Sequence, residues 1–424
     1  LISPALVTPN LGTPSAGVMT NMTGAVTASL VDDAVTGAKI ENNPTIAGNL
    51  TVSGDFVPST ALSHRNMIIN GGMQVAQRST AEVIISDGSN EGYQTVDRFS
   101  QSFGSAAGGA VKWTQVQNEV PDISGGDMFT NSLKVQCSTT TTENTNKEIN
   151  IVTKLEVQDM ERFGWGKTNK KDAVLSFYFK TSVVGIYSIY LQTSGSGTRR
   201  RMISFSVADT NWNRYEIPIS ADTVALSGDG NSFGILIAWQ LINVPNYEYT
   251  GGTDSGWGTT IYLTDDGQAD FMSNTSNVLY LTGVQLELGS NATPFEHRSY
   301  GDELARCQRY YQKFIETEAA TGGVSRANLG DGLWYQAPQV LGTLLYTTKR
   351  ANPAISSSGA DALKCYVAGG SLSSNDATPC DMIRCGAARF NIYGFAGGST
   401  GTAGQGTHII LNANEYIEIN AELL

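Results

Sequence analysis

Three kinds of side chain in this sequence could do chemistry at a surface: indoles in glycine-flanked loops, a run of arginines and a few pairs of acids. Gly164-Trp165-Gly166 and Gly256-Trp257-Gly258 each set an indole between two residues without side chains. Such a ring is poorly shielded by its neighbours, so it is either tucked under its own loop or presented outward. Tyr247 and Tyr249 lie in a polar loop from Asn246 to Gly252. Sugar rings lay their C–H faces on aromatic rings while amide and carboxylate side chains bind the hydroxyls, and an amphipathic ring suits such an interface. Trp165, Trp257, Tyr247 and Tyr249 are therefore candidates for glycan binding; the competing reading is a plug over a sandwich end or a contact between subunits. Thr198-Arg199-Arg200-Arg201 is the one dense basic run, and it follows Ser194-Gly-Ser-Gly197. Guanidinium forks fit phosphates and uronic carboxylates, which makes Arg199 and Arg200 further candidates. Protection of a sheet edge, or pairing with surplus acids across subunits, is the reading favoured for the run.

Enzyme chemistry finds less support. His64, His297 and His408 each fall near a domain edge, and no Gly-x-Ser-x-Gly elbow accompanies them. Glycoside hydrolysis needs two carboxylates about 5–10 Å apart. Glu156 with Asp159, or Asp265, Asp266 and Asp270, could supply a pair, but acid pairs are frequent in any sequence. The repeated short coils of a parallel β-helix are missing. Asp229 in Gly228-Asp-Gly230 and the run Asp265-Asp266-Gly267 lack the spaced ligands of a hand-type calcium loop and read as hairpin turns. Cys137, Cys307, Cys365, Cys380 and Cys385 are odd in number and widely spaced, which suits buried thiols better than a disulfide framework or a zinc module. The sequence is read as a non-enzyme with no cofactor and no metal.

The elements that must position these residues are strands. Of 424 residues, 46 are Gly, and charged residues make up only 16%. A net charge of −12 argues against nucleic acid as the main partner, since phosphate neutralisation needs a basic face. No apolar run approaches the roughly 18 residues of a membrane span. From residue 63 to 298 short aromatic and β-branched runs alternate with period two: Val174 to Phe179, Ile186 to Leu191, Met202 to Val207, Phe233 to Trp239 and Val278 to Val284. Gly-rich turns separate them, which predicts an antiparallel β-sandwich of jelly-roll type, with Trp239 in its core and Trp113 and Trp212 partly so. Gln285 and Glu287 alternate with apolar neighbours, so they face outward; with Arg298 they are candidates for a trimer seam. Ser299 followed by Asp302 predicts a capped helix over 299–311, with Leu304, Cys307, Gln308 and Tyr311 on one face. Residues 312–424 return to strand text as a second, smaller C-terminal β-domain, with Leu411, Tyr416, Ile417 and Ile419 suggesting a closing hairpin. The fold class is thus all-β.

Residues 1–62 differ from the rest. Pro and Gly punctuate Thr8 to Gly17, and Ile46 to Gly54 alternates short apolar and polar residues. Such a segment leaves backbone groups unpaired unless other copies supply partners. It is read as an extended oligomeric shaft in preference to a disordered linker.

Several phrases also carry a resemblance. Arg65 to Arg78 (RNMIINGGMQVAQR), Thr95 to Phe99 (TVDRF), Leu175 to Lys180 (LSFYFK), Leu281 to Gly289 (LTGVQLELG), Ala292 to Gly301 (ATPFEHRSYG), Cys307 to Tyr311 (CQRYY) and the ending Ile419 to Leu423 (INAEL) resemble phrases of tail fibres from tailed bacteriophages, marine ones especially. Leu11 to Thr20 (LGTPSAGVMT) is similar to their stems. The resemblance implies a homotrimeric fibre on the virion, made in the host cytoplasm. It further implies that the fibre recognises a bacterial surface polysaccharide or lipopolysaccharide through a jelly-roll domain like carbohydrate-binding modules, and that other phage tail proteins join it through the part preceding Leu1. It carries no catalytic residues. The rivals are a depolymerase or esterase tailspike, and a structural or assembly module without receptor contact.

Overall fold

The computed structural model describes residues 63–86, 89–104, 108–122, 128–141, 148–194, 197–315, 326–336, 339–358, 362–367, 375–377, 389–395, 403–404, 406–412 and 415–423. The expected shaft over 1–62 and the thiols of Cys380 and Cys385 fall outside them. The described residues all belong to one compact unit, Ser59–Leu424.

Alternation of side chains along short strands produces a two-sheet sandwich. Its strands are β1 (Val83–Ser86), β2 (Phe99–Gly104), β3 (Ala110–Gln117), β4 (Asn131–Thr139), β5 (Glu148–Glu156), β6 (Ala173–Thr181), β7 (Gly185–Thr193), β8 (Arg200–Val207), β9 (Asn213–Ile219) and β10 (Phe233–Gln240). The two-residue β11 (Glu248–Tyr249) and β12 (Thr264–Asp265) and the long β13 (Val278–Leu288) complete them. One sheet runs β1-β3-β4-β13-β6-β9 and the other β2-β5-β10-β7-β8. Their ladders are antiparallel. The chain crosses repeatedly between the two sheets, as a jelly roll requires. Inward residues of both sheets meet in an aromatic core. Phe177 meets Trp239 edge-on at 5.5 Å, and Phe179 meets Tyr187 at 5.2 Å. Trp239 and Trp113 are fully buried, the latter donating its indole N–H to Gln101 Oε1 at 2.9 Å.

After the one-turn α1 (Val157–Met160), the only longer helix among the described residues is α2 (Tyr300–Gln308). Ser299 caps it, its hydroxyl accepting the Asp302 N–H. The helix stops three residues before the expected Tyr311. Arg309 turns away to pair with the buried carboxylate of Glu156, and Tyr311 opens the next strand.

The C-terminal region is also strand. Its elements are β14 (Tyr311–Ile315), β15 (Arg326–Gln336), β16 (Gln339–Leu345), β17 (Ala354–Ser357), β18 (Leu363–Val367), β19 (Asn375–Ala377), β20 (Arg389–Phe395), β21 (Gly406–Asn412) and β22 (Tyr416–Asn420). The expected closing hairpin is corrected here. β21 lies in a six-stranded sheet, between β18 and β15, while β22 lies between β14 and β17 in a three-stranded one. Proximity in sequence did not give pairing, because the partner of β22 is the strand just after α2.

The tail beyond β22 returns to the sandwich. Glu422 is buried and pairs with Arg98 and Arg78. Tyr310 and Tyr311 stack under those two guanidinium groups at 3.5 Å each. Ala421 N–H donates to Tyr310 O at 2.7 Å.

Candidate functional site

Five strands of one sheet turn alternate side chains outward. From β2 come Ser100 and Ser102, from β5 Glu148, Asn150, Val152 and Lys154, from β10 Leu236 and Ala238, from β7 Tyr190 and Gln192, and from β8 Arg200. Part of this face is roofed. The segment after β10 carries a turn at Pro245–Tyr247 and the strands β11 and β12, and buries Val244 and Leu263 against Val152, Tyr190 and Ala238. Asn243 pins the roof: its Oδ1 accepts from Val244 N and Thr264 Oγ1, both at 2.8 Å. The unroofed part is a groove of about 280 Å³. It crosses four strand spacings, which makes it about 19 Å long.

The groove floor is polar and incompletely satisfied. Tyr190 donates to Gln192 Oε1 at 2.7 Å. Asn150 Oδ1 and Arg200 Nε, both on lining residues, are buried with no hydrogen-bond partner among the described residues. An unpaired buried polar atom costs about 1–3 kcal/mol, so these atoms are the ones a polar ligand or water would satisfy. Burial raises the Glu148 carboxyl above its ordinary range. Burial, helped by nearby Arg98, lowers the Lys154 ammonium, whose Nζ donates to Leu423 O at 3.2 Å. Tyr190 is pushed up to about 12 by burial, with Arg200 beside it opposing. Glu148 is the one carboxylate among the lining residues.

Of the residues expected from sequence to bind glycan, Arg200 alone lines this groove. Trp165 is only 4% exposed; its indole donates to Lys171 O at 3.0 Å, and it packs on Phe163 and Trp257. It is a plug, not a platform. Gly166 sits at φ +78 with Ala225 N where a Cβ would fall, so the glycine serves a close approach instead of exposing the ring. Trp257 is half-buried against the core, its indole bonded to Ser220 O at 2.7 Å. Arg199 holds Asp222 with two contacts of 3.1 and 3.2 Å and donates to Trp257 O. Tyr247 packs beneath the roof and Tyr249 meets Tyr262 at 5.0 Å, so both rings build the cover.

The trimer-seam candidates are also corrected. Gln285 and Glu287 do face outward from β13, but residues 293–298 of the same chain lie over them. Glu287 accepts from Thr293 N and Oγ1 at 2.8 and 2.7 Å, and Gln285 Oε1 accepts from Glu296 N at 2.8 Å. Arg298 reaches Ile68 O, Asn66 O and Glu303. All three are consumed inside one chain.

The acid pairs serve structure as well. Glu156 is buried against Arg309, Asp265 accepts from Ser204 Oγ at 2.8 Å, and Asp270 caps a short turn through Met272 N. His297 packs on Phe129 and Phe295, and exposed His408 meets Asp331 at 2.7 Å. Sequence reasoning missed Ser100, Ser102, Glu148, Asn150, Lys154, Tyr190 and Gln192. The usable signal was polar residues at the outward positions of otherwise apolar strands.

No protein-family model and no curated protein matches the chain. Solved structures similar to it include the enzymatically active domain of bacteriophage CBA120 tailspike protein 4 (TM-score 0.28, 12% identity, 53% of this chain and 21% of that one). Others are an arabinose-bound GH51 α-L-arabinofuranosidase (0.27, 11%, 55% and 27%) and a family 11 carbohydrate-binding module from a Clostridium thermocellum cellulosomal cellulase (0.25, 14%, 52% and 99%). The chain thus spans about a quarter or less of the length of the first two. Neither fold nor function is taken from these likenesses.

Proposed function

We propose that this chain is a non-catalytic adhesin segment of a phage tail fibre, acting as a homotrimer and holding a bacterial surface glycan in the groove of the five-stranded sheet. One observation carries the reading: an open groove whose floor offers several hydroxyl and amide groups, with Asn150 Oδ1 and Arg200 Nε buried and unpartnered among the described residues. Small apolar surfaces beside Tyr190, with polar groups at fixed strand spacings, are what a row of sugar rings needs. The phrases resembling phage tail fibres support the viral setting. A single lining carboxylate supports binding without hydrolysis, since glycosidases place two across the scissile bond.

The test is a binding assay of the intact chain on host cells and on bacterial oligosaccharides. Asn150→Ala paired with Gln192→Ala abolishes binding if the groove is the site. Binding that survives this double change, or release of reducing ends on incubation with host polysaccharide, overturns the reading.

A further inference from the structure

The three consecutive arginines divide in a way that specifies the ligand. Arg199 is held by Asp222, which is itself buried. Arg201 holds Asp254, with Nε to Oδ1 at 2.9 Å, and Ser220. Arg200, between them, turns to the opposite face of β8 and lines the groove. No carboxylate pairs with it among the described residues. Its Nη1 donates to Thr259 O at 2.9 Å, so a backbone carbonyl fixes the guanidinium without neutralising it. Its Nε is buried and has no partner among the described residues. This happens in a chain with 39 acids against 27 bases, where an arginine has an excess of possible partners. Glu148, the groove's one acid, is three strands away on β5, about 14 Å by strand spacing.

We propose that the groove selects an anionic glycan, with a carboxylate or phosphate substituent seated on Arg200 and the hydroxyl-bearing remainder running across β7 and β10 toward Asn150. This rests on the groove being the glycan site. Glu148, three strands away on β5, does not neutralise Arg200. A guanidinium held by a backbone carbonyl keeps its full charge, and a charge-assisted N–H group favours a carboxylate or phosphate oxygen over a neutral hydroxyl.

The intact chain is tested against three sets of oligosaccharides: neutral, uronate-bearing and phosphate-bearing. Hits among the uronates or among the phosphates are expected, and which set responds tells the two sources apart. For the tightest uronate hit, the carboxyl-reduced sugar should bind the unmodified protein about ten- to a hundred-fold more weakly, the range of a hydrogen bond to a charged group; for a phosphate hit, the dephosphorylated sugar serves. Arg200→Gln should lose the same factor for the anionic sugar and leave the neutral form unchanged, and Arg200→Lys should fall between. Affinity should also drop as salt is raised. Neutral sugars binding as well as anionic ones, in a manner lost in Asn150→Ala but not in Arg200→Gln, overturns the anionic preference and leaves the groove reading standing. No binding in any set, or binding insensitive to Asn150→Ala, overturns both. The ligand comparison uses the unmodified chain, so it decides the matter even where Arg200→Gln folds poorly.

Discussion

Arg98 and Glu422 show how much of this molecule depends on single buried charges. Their side chains are 2% and 1% exposed, and 324 residues separate them in sequence. Breaking a buried pair by removing one partner leaves an uncompensated charge and costs about 3–5 kcal/mol. Glu422→Gln should therefore lower stability by that amount, read as a shift of the urea midpoint. Arg98→Met combined with Glu422→Leu should recover part of it, because the Arg98 charge is removed while Arg78, the second partner of Glu422, stays. Asp97, next to this pair, adds a pH dependence of known sign. Burial raises its carboxyl from 3.8 to about 6, against the pull of Arg78 and the Gln77 hydrogen bonds. Between those values the folded state binds a proton that the unfolded state has lost, so the contribution of Asp97 is largest below pH 4 and is lost as pH rises through about 6. Unfolding titrated from pH 4 to 7 should show that slope, and Asp97→Asn should flatten it. Neither charge looks like a lock in the sequence: Asp97-Arg98-Phe99 reads only as a signature phrase until Glu422 is brought against it.

Loops and strands were legible to different degrees, and the reason is local against distant partners. The strands Val174 to Phe179 and Ile186 to Leu191 could be read because alternation is a property of neighbours, and both fall inside β6 and β7. The same alternation placed Gln285 and Glu287 outward. It could not reveal that residues 293–298 fold back over them, since that cover is a tertiary event. The glycine-flanked tryptophans failed for a related reason: glycine marks a position where a side chain is unwelcome, and close packing makes it unwelcome as often as solvent does. Gly166→Ala tests this. The residue has φ +78, and a Cβ would lie 2.2 Å from Ala225 N. Strained left-handed backbone costs about 1–3 kcal/mol, so the variant should destabilise by at least that much. It should also shift Trp165 emission to the red as the indole is levered from its place against Phe163. An unshifted spectrum with unchanged stability would return Trp165 to the surface. The groove was half legible, through Arg200, because a charged residue stands out in a sequence whereas Ser100 and Asn150 do not.

At the scale of the molecule, the phrases that carry the resemblance to tail fibres build one internal joint. Asn70 accepts from Val75 N and donates to Asp97 O, and its backbone N–H meets Glu303 of α2. Asn66 bonds Val284 O and accepts from Leu286 N, and its own carbonyl takes Arg298. Tyr310 and Tyr311 stack on Arg98 and Arg78, which hold Glu422. Those phrases therefore describe how the sandwich is fastened to the C-terminal strands, and the proposed ligand groove lies elsewhere, on the outer face of the five-stranded sheet. Lys154 touches both, lining the groove while donating to Leu423 O. A stiff body of this kind suits weak sites used several at a time. If three copies associate, each groove binds alone with modest affinity, and a polymer bridging two of them gains about 10²–10⁴ through effective concentration. The measurement is a competition on host cells. A short oligosaccharide filling one groove should displace the protein only near its own dissociation constant, while the same repeat presented on long polysaccharide should do so at a concentration lower by that factor per repeat unit. Sedimentation of the same sample should give three times 45.2 kDa. Equal inhibitory concentrations for short and long ligands, or a species of one chain's mass, would leave the grooves acting singly and remove avidity from the mechanism.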